Sequence, residues 1–179
     1  MPDSGVVVLG IPIPSSSPLF LGVVAIHVLA GTVCVVAGIV AMLSTKRPGR
    51  HPRAGSVYYW SLVVVFLSMT LLSVVRWPED IQLLALGVLS LVAAVIGRTV
   101  RRRQKGRSLR LHATAMSVSY IALLTAFYVD NGPHLPLWHR FPQWAFWILP
   151  SVGGLPIMIW VLTRHPLLVR SRRSVQRKI

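Results

Sequence analysis

The residues best suited to chemistry in this 179-residue chain are its six histidines. His27 is the only residue with an acidic or basic side chain in an apolar run from Leu19 to Leu43. Ionisable side chains are expensive within such a run, so they pair with another group or serve a function. A neutral imidazole offers one ring nitrogen as a ligand and the other as a hydrogen-bond donor. His27 is therefore the first candidate for ligand binding or proton handling; the competing interpretation is a structural hydrogen bond to a neighbouring helix.

His51 and His112 are two further candidates, and each lies in a basic segment that precedes an apolar run. Histidine is an axial ligand of haem iron and a common ligand of other metals. The three histidines could therefore hold haem b or a metal ion of unknown identity. They could not all hold one ion. His27 is predicted near one face of the membrane and His112 near the other, whereas metal–nitrogen bonds are about 2 Å long.

The acidic residues exclude several kinds of hydrolytic chemistry at membrane depth. The chain has four, Asp3, Glu79, Asp80 and Asp130, and none lies inside an apolar run. Paired carboxylates, a Ser-His-Asp triad and a carboxylate-rich metal site all need an acid beside the reacting group. The one cysteine, Cys34, forms no paired-cysteine metal site. We therefore expect a protein without enzymatic activity.

Composition and hydropathy predict a membrane protein. Apolar residues make up 54% of the chain and charged residues 13%, against about 25% charged residues in soluble domains. Five apolar runs are long enough, at about 1.5 Å per residue, to cross roughly 30 Å of hydrocarbon. The predicted fold is an all-α, polytopic transmembrane helical bundle. Its five spans are predicted at about residues 19–43, 55–75, 81–100, 111–129 and 141–163, between an irregular external tail at 1–18 and a basic cytoplasmic tail at 164–179.

The positions of the basic residues predict the orientation. Of the 19 Lys and Arg residues, only Arg76 and Arg140 fall on one side of the five spans. Because the basic side of a membrane protein is cytoplasmic, the N-terminus is predicted outside and the C-terminus inside, in the plasma membrane of a prokaryote. A net charge of +15 could also indicate nucleic-acid binding. Blocks of charge beside the spans favour anionic lipid headgroups as partners instead, at about 1 kcal/mol per cation.

Small residues recur at helical spacing on several of the predicted spans. Small side chains let helix backbones approach closely, and membrane helices associate through such faces. The predicted packing residues are Gly31, Cys34 and Gly38 on the first span and Gly87, Ser90 and Gly97 on the third. His27 shares the stripe on the first span, so it is predicted to face into the bundle.

The fifth predicted span contains Pro150, Gly153, Gly154 and Pro156. This pattern predicts a kink or a break near mid-membrane, because proline removes a helical hydrogen bond and glycine weakens a helix. An interrupted helix can expose backbone groups to an ion or a substrate, as in transporters. Bending without such a role is the alternative.

Three segments of the chain carry a resemblance to a known family. They are H-x3-G on the first span (His27, Gly31), H-P-R-A-G-S-V-Y before and into the second (His51 to Tyr58) and L-H-A-T-A-M at the start of the fourth (His112, Met116). Together they resemble domain-of-unknown-function family 2306, a group of uncharacterised prokaryotic membrane proteins. The chain departs from the family pattern at residues 113–115, where Ala, Thr and Ala replace basic and tryptophan residues. The resemblance implies a multi-span bundle and no particular activity or ligand.

These observations favour a non-enzymatic membrane component, either an accessory or assembly subunit or a small-molecule binder. A partner membrane protein or a second copy of the chain would fit the first of these roles. One alternative is a haem- or metal-binding redox protein that uses His27, His51 and His112. The other is a small transporter that works through the broken fifth helix.

Overall fold

The computed structural model of the chain describes residues 6–8, 11–13, 17–44, 49–103, 108–136 and 138–164. Five long α-helices account for most of these residues. They are α1 (Pro18–Leu43), α2 (Arg50–Val75), α3 (Ile81–Arg103), α4 (Ser108–Asn131) and α5 (Gln143–Arg164). All five are long and apolar enough to cross a membrane. The predicted all-helical fold with five candidate spans is therefore confirmed.

The helices extend beyond the apolar runs at their basic ends. α2 begins at Arg50, before the predicted start of the span at residue 55, and α3 continues to Arg103. Arginine side chains can lie along the helix and keep their charged ends in the headgroup region or in water. A helix therefore need not end where the hydrocarbon ends.

A short antiparallel pair of strands precedes α1. β1 (Val6–Val8) pairs with β2 (Ile11–Ile13), with Val6 opposite Ile13. The prediction of an irregular tail is wrong for these residues. All of them except Pro12 are β-branched, and β-branched residues favour extended backbone. Proline does not prevent the pairing, because each strand of a two-stranded ladder has amide groups that face away from its partner.

The chain divides into two compact units, residues 1–87 and 88–179, and each is described by itself. In the first unit, α1 and α2 form an antiparallel pair. Hydrogen bonds between their described residues link His27 Nδ1 with Ser68 Oγ (2.9 Å), Cys34 Sγ with the carbonyl of Tyr58 (3.5 Å), and His51 Nδ1 with the carbonyl of Ala41 (2.8 Å). The three α1 positions are spaced by about two helical turns and therefore share one face.

The glycines of the first unit differ in how closely they are packed. Gly38 is buried in α1, and a Cβ at Gly87 would lie 3.4 Å from the ring of Phe66. At Gly31, no described atom lies within 4 Å of the position that a Cβ would take. The close contact predicted at Gly31 is therefore absent from the described part of the chain. The helices touch at His27 and Cys34 on either side of it, which leaves space between the two contacts.

In the second unit, the remainder of α3 runs antiparallel to α4. Ser90 Oγ donates to the carbonyl of Ser119 at 2.9 Å, and His112 Nδ1 bonds the carbonyl of Gly97 at 2.8 Å. These contacts are again about two turns apart on each helix. Gly97 is buried, and a Cβ there would lie 2.9 Å from Met116 Sδ. Because Gly97 has no side chain, α4 can pack closely against α3 at this position.

Helix α5 is continuous from Gln143 to Arg164, although Pro150 and Pro156 lie in its interior. A break is therefore ruled out for α5, and the kink at this position stays a prediction. Membrane helices tolerate proline because neighbouring helices and small local adjustments satisfy the freed backbone groups. Without an interruption, the transporter hypothesis loses the feature on which it rests.

The two glycines of α5 have different surroundings. A Cβ at Gly154 would lie 2.5 Å from Cγ1 of Ile121 on α4, whereas a Cβ at Gly153 would meet no described atom within 4 Å. Isoleucine is β-branched, so its χ1 rotamer is stiff and it yields little space. Gly154 is thus a packing residue between α4 and α5.

This difference predicts the effects of two neighbouring substitutions. Gly154→Ala should lower the stability of the protein by about 1–3 kcal/mol, the usual cost of overpacking. Gly153→Ala adds the same methyl group to the same helix without a clash, so its stability should equal or slightly exceed that of the wild type. Thermal unfolding in a mild detergent measures both. Equal unfolding temperatures for the two variants would contradict the α4–α5 packing.

Candidate functional site

Three helical histidines, His27, His51 and His112, each use ring nitrogen Nδ1 to bond a neighbouring helix. His27 lies in the middle of α1, His51 in the first turn of α2, and His112 in the second turn of α4. All three are half-buried. The histidines that the sequence indicates are therefore interhelical groups, and their chemistry depends on what Nδ1 meets.

The partner of His27 is the hydroxyl of Ser68, which is only 5% exposed. That hydroxyl also donates to the main-chain carbonyls of Val64 (2.8 Å) and Val65 (3.0 Å). A hydroxyl has one hydrogen and two lone pairs. When that hydrogen is directed to the backbone of α2, Ser68 Oγ accepts from His27 Nδ1–H; the other tautomer of His27 would instead accept from Ser68.

Ser68 is one of several hydroxyls that the sequence offers as partners for His27. The candidates are Ser61, Ser68, Thr70 and Ser73 on α2 and Ser119, Tyr120 and Thr125 on α4. Estimated depth favours Thr70, Ser73 and Thr125, and this choice is wrong. His27 is nine residues from the start of α1 and Ser68 seven from the end of α2, so the two are already nearly level in an antiparallel pair. Thr70 and Thr125 instead bond carbonyls of their own helices, those of Phe66 and Ile121.

His51 bonds the carbonyl of Ala41 at 2.8 Å. A carbonyl oxygen can only accept, so Nδ1 of His51 carries the hydrogen. Ala41 lies in the last turn of α1, where carbonyls have no partner within the helix. His51 thus caps the C-terminal end of α1 from the adjacent helix.

His112 bonds the carbonyl of Gly97 at 2.8 Å, so its Nδ1 is also the donor. Gly97 lies in the interior of α3, and the absence of a side chain there lets the imidazole reach the backbone. Met116, one turn further along α4, packs against the same glycine. Gly97 therefore serves as both a packing residue and the partner of a histidine.

The tautomer is the chemical consequence of these bonds. When neutral, a histidine that donates through Nδ1 carries its lone pair on Nε2. This is the arrangement of metal-ligating histidines, whose other ring nitrogen donates to a carbonyl, a carboxylate or water. The same nitrogen can accept a hydrogen bond from a small ligand.

The structure does not bring His27 and His51 together. The partner of His51, Ala41, lies fourteen residues beyond His27 on α1, which is about 21 Å along the helix axis. His112 belongs to the second unit. Within the described ranges, no group of three or more His, Cys, Asp and Glu side chains could hold a metal ion. Each histidine is therefore treated as a site of its own.

Other residues that the sequence singles out make contacts within or between helices. Cys34 is fully buried and its Sγ points to the carbonyl of Tyr58. Ser90 bonds Ser119. Asp80, placed at the membrane rim by the sequence, is 4% exposed and forms an ion pair with Arg76 at 3.6 Å. Sequence reasoning missed the burial of Asp80.

One family model matches residues 24–161, which include all three helical histidines. The family is described as predicted membrane protein (DUF2306). Searches of curated proteins and of solved structures found no match. The match extends from α1 into α5 and covers most of the chain. The protein therefore belongs to the DUF2306 family of predicted membrane proteins.

Proposed function

We propose that the protein is a non-enzymatic component of the membrane that binds a small molecule at His27. The observation that supports this function is the bond from His27 Nδ1 to Ser68. It fixes the orientation of an imidazole inside a membrane-spanning helix, and in the tautomer that we propose the lone pair of the neutral ring lies on Nε2. An ionisable group at such a depth is costly, and a bound ligand accounts for the cost.

The ligand recognised by such a site is one that donates a hydrogen bond to Nε2 or coordinates it. The surrounding helices are apolar, so the rest of the ligand is expected to be apolar as well. The described acids lie at helix ends or in turns rather than beside His27. This placement favours binding over proton-coupled catalysis, for which an acidic partner is the usual requirement.

Haem or metal binding is the second candidate, and His51 and His112 favour it. Both donate Nδ1–H to a main-chain carbonyl, the contact that orients histidine ligands in metal sites. In this version, each histidine would supply Nε2 as an axial ligand of haem iron. The separation of His27 from His51 along α1 requires separate cofactors at the two levels.

The orientation that we propose places the N-terminus outside and the C-terminus in the cytoplasm, in the plasma membrane of a prokaryote. It rests on the distribution of Lys and Arg, of which only Arg76 and Arg140 lie on the other side. The basic side then faces anionic headgroups of the inner leaflet. An accessory role beside another membrane protein or a second copy fits the same topology.

Reporter fusions test this orientation. A reporter fused after Ile179 should be active in the cytoplasm, and one inserted after Asn131, between α4 and α5, should be active outside. The reason is the charge asymmetry, which opposes transfer of the basic segments across the membrane. Reporters on the same side would contradict the five-span topology, and an exchange of sides would contradict only the orientation.

A second experiment tests ligand binding at His27. Protein purified in mild detergent should carry a small molecule in native mass spectrometry, and His27→Ala should lose it because Nε2 is removed. His134→Ala is the matched control, since His134 is exposed and lies in a turn after α4. It should retain the ligand.

Absorption spectra of the same samples distinguish the two candidate functions. A Soret band that weakens in His27→Ala identifies the ligand as haem. A colourless protein that carries a bound mass identifies another small molecule. Wild-type protein without any bound mass or Soret band, or equal binding by His27→Ala, would contradict both functions.

A further inference from the structure

An apolar groove runs between α1 and α2 on the half of the pair that holds the C-terminal end of α1. Its volume is about 350 Å³, within the roughly 300–1,000 Å³ typical of ligand sites. Val33, Val36 and Val40 of α1 and Val57 of α2 form its walls, and Ala37 and Ala54 form its floor. The two alanines of the floor are buried, whereas the valine walls are 38–54% exposed.

The groove has the length of one leaflet. On α1 it extends from Thr32 to Val40, about 12 Å along the axis. Half of a typical hydrocarbon core is about 15 Å. The groove could thus hold the acyl chain of a lipid that lies parallel to the helices, with the headgroup at the rim.

Cations stand at the rim end of this groove. Arg50 and Arg53 occupy the first turn of α2 and are exposed. They precede Ala54 and Val57 by four residues each, so each arginine lies one turn above a groove residue on the same face.

The start of α2 adds further positive charge. Its first turn contains no acidic residue, and Gly49 provides no side-chain cap for it. The partial positive charge of a helix N-terminus is therefore joined by two cations instead of being offset by an acid. An anion at this position would be stabilised by both.

We propose that the groove between α1 and α2 binds an anionic phospholipid. Its phosphate lies between Arg50 and Arg53, and one acyl chain lies along Ala37, Ala54 and Val57. This inference rests on the proposed contact of the basic side with anionic lipid and goes further, because it assigns one lipid to one site.

Charge variants test the headgroup half of the site. The full-length protein is reconstituted with phosphatidylglycerol or phosphatidylcholine of matched acyl chains, and bound lipid is counted by native mass spectrometry. The wild type should retain one phosphatidylglycerol per chain and little phosphatidylcholine. Arg50→Gln with Arg53→Gln should reduce phosphatidylglycerol binding by roughly tenfold or more, from the loss of two juxtamembrane cations. Arg101→Gln, an exposed cation of α3, should leave it unchanged.

Groove variants test the acyl half. Val57→Phe fills the groove with an exposed apolar side chain and should reduce lipid retention several-fold. Val64→Phe is the matched control, because Val64 is a similarly exposed valine seven residues further along α2 and is not part of the groove. Both variants should unfold at the wild-type temperature.

Several results would overturn the proposal. The first is equal retention of the two lipids by the wild type, and the second is a loss of phosphatidylglycerol in Arg101→Gln equal to that in the double variant. The third is equal lipid retention by Val57→Phe and Val64→Phe. The fourth is a Val57→Phe variant whose main change is the loss of a dimer. That last result would assign the groove to a second copy of the chain. None of these variants touches His27, so ligand binding there and the reporter topology remain independent measurements.

Discussion

The structure depends on one constraint, namely that hydrocarbon offers no hydrogen bonds. Polar groups within a span must therefore be satisfied inside the protein. Two kinds of contact meet this requirement for many of the described side chains, whereas the buried Ser73 Oγ has no hydrogen-bond partner among the described residues. Thr32, Thr70, Thr125 and Thr163 donate to carbonyls of their own helices, four residues back. His27, Cys34, His51, Ser90 and His112 bond a neighbouring helix instead. The second group defines which helix faces meet, and it contains the three candidate histidines.

The cross-helix bonds also explain why the histidines are chemically distinct from the serines. Polar interhelical contacts in membranes contribute on average about 0.6 kcal/mol each to stability. A serine pair such as Ser90 and Ser119 supplies this stabilisation without an ionisable group. A histidine adds an ionisable ring whose charged form is disfavoured in hydrocarbon. The bonds at Ala41, Ser68 and Gly97 hold the ring in one orientation through Nδ1 and leave the neutral lone pair on Nε2. In ligand-binding histidines, a hydrogen bond at one ring nitrogen likewise orients the ring so that the other nitrogen faces the ligand.

Much of this arrangement could be predicted from the sequence. Apolar runs and their lengths reveal five spans, because crossing a membrane demands both. His27 could be identified as a candidate site residue because it stands alone in the first apolar run. The hydroxyls on the next helix indicated that its partner would be a serine or threonine. The register of α1 against α2 could not be predicted. Ser68, Thr70 and Ser73 lie within about two turns of one another on α2, and an estimate of depth does not distinguish positions that close. The continuity of α5 and the open space at Gly31 were missed as well. Proline and glycine act through their neighbours, and a single sequence does not say which side chain stands opposite.

The central claim concerns His27, His51 and His112. Each, in its neutral form, carries the ring proton on Nδ1 because an oxygen of a neighbouring helix accepts a hydrogen bond from it. Nitrogen-15 NMR of histidine-labelled protein in lipid bilayers tests this most directly, at an alkaline pH at which the rings are neutral. Variants that retain one of His27, His51 and His112 assign the signals. We predict a protonated Nδ1 and an unprotonated or ligand-bound Nε2 for all three. A proton on Nε2 with an unprotonated Nδ1 at His51 or His112 would contradict the account, because Nδ1 and the carbonyl oxygen 2.8 Å away, that of Ala41 or Gly97, would then both be acceptors.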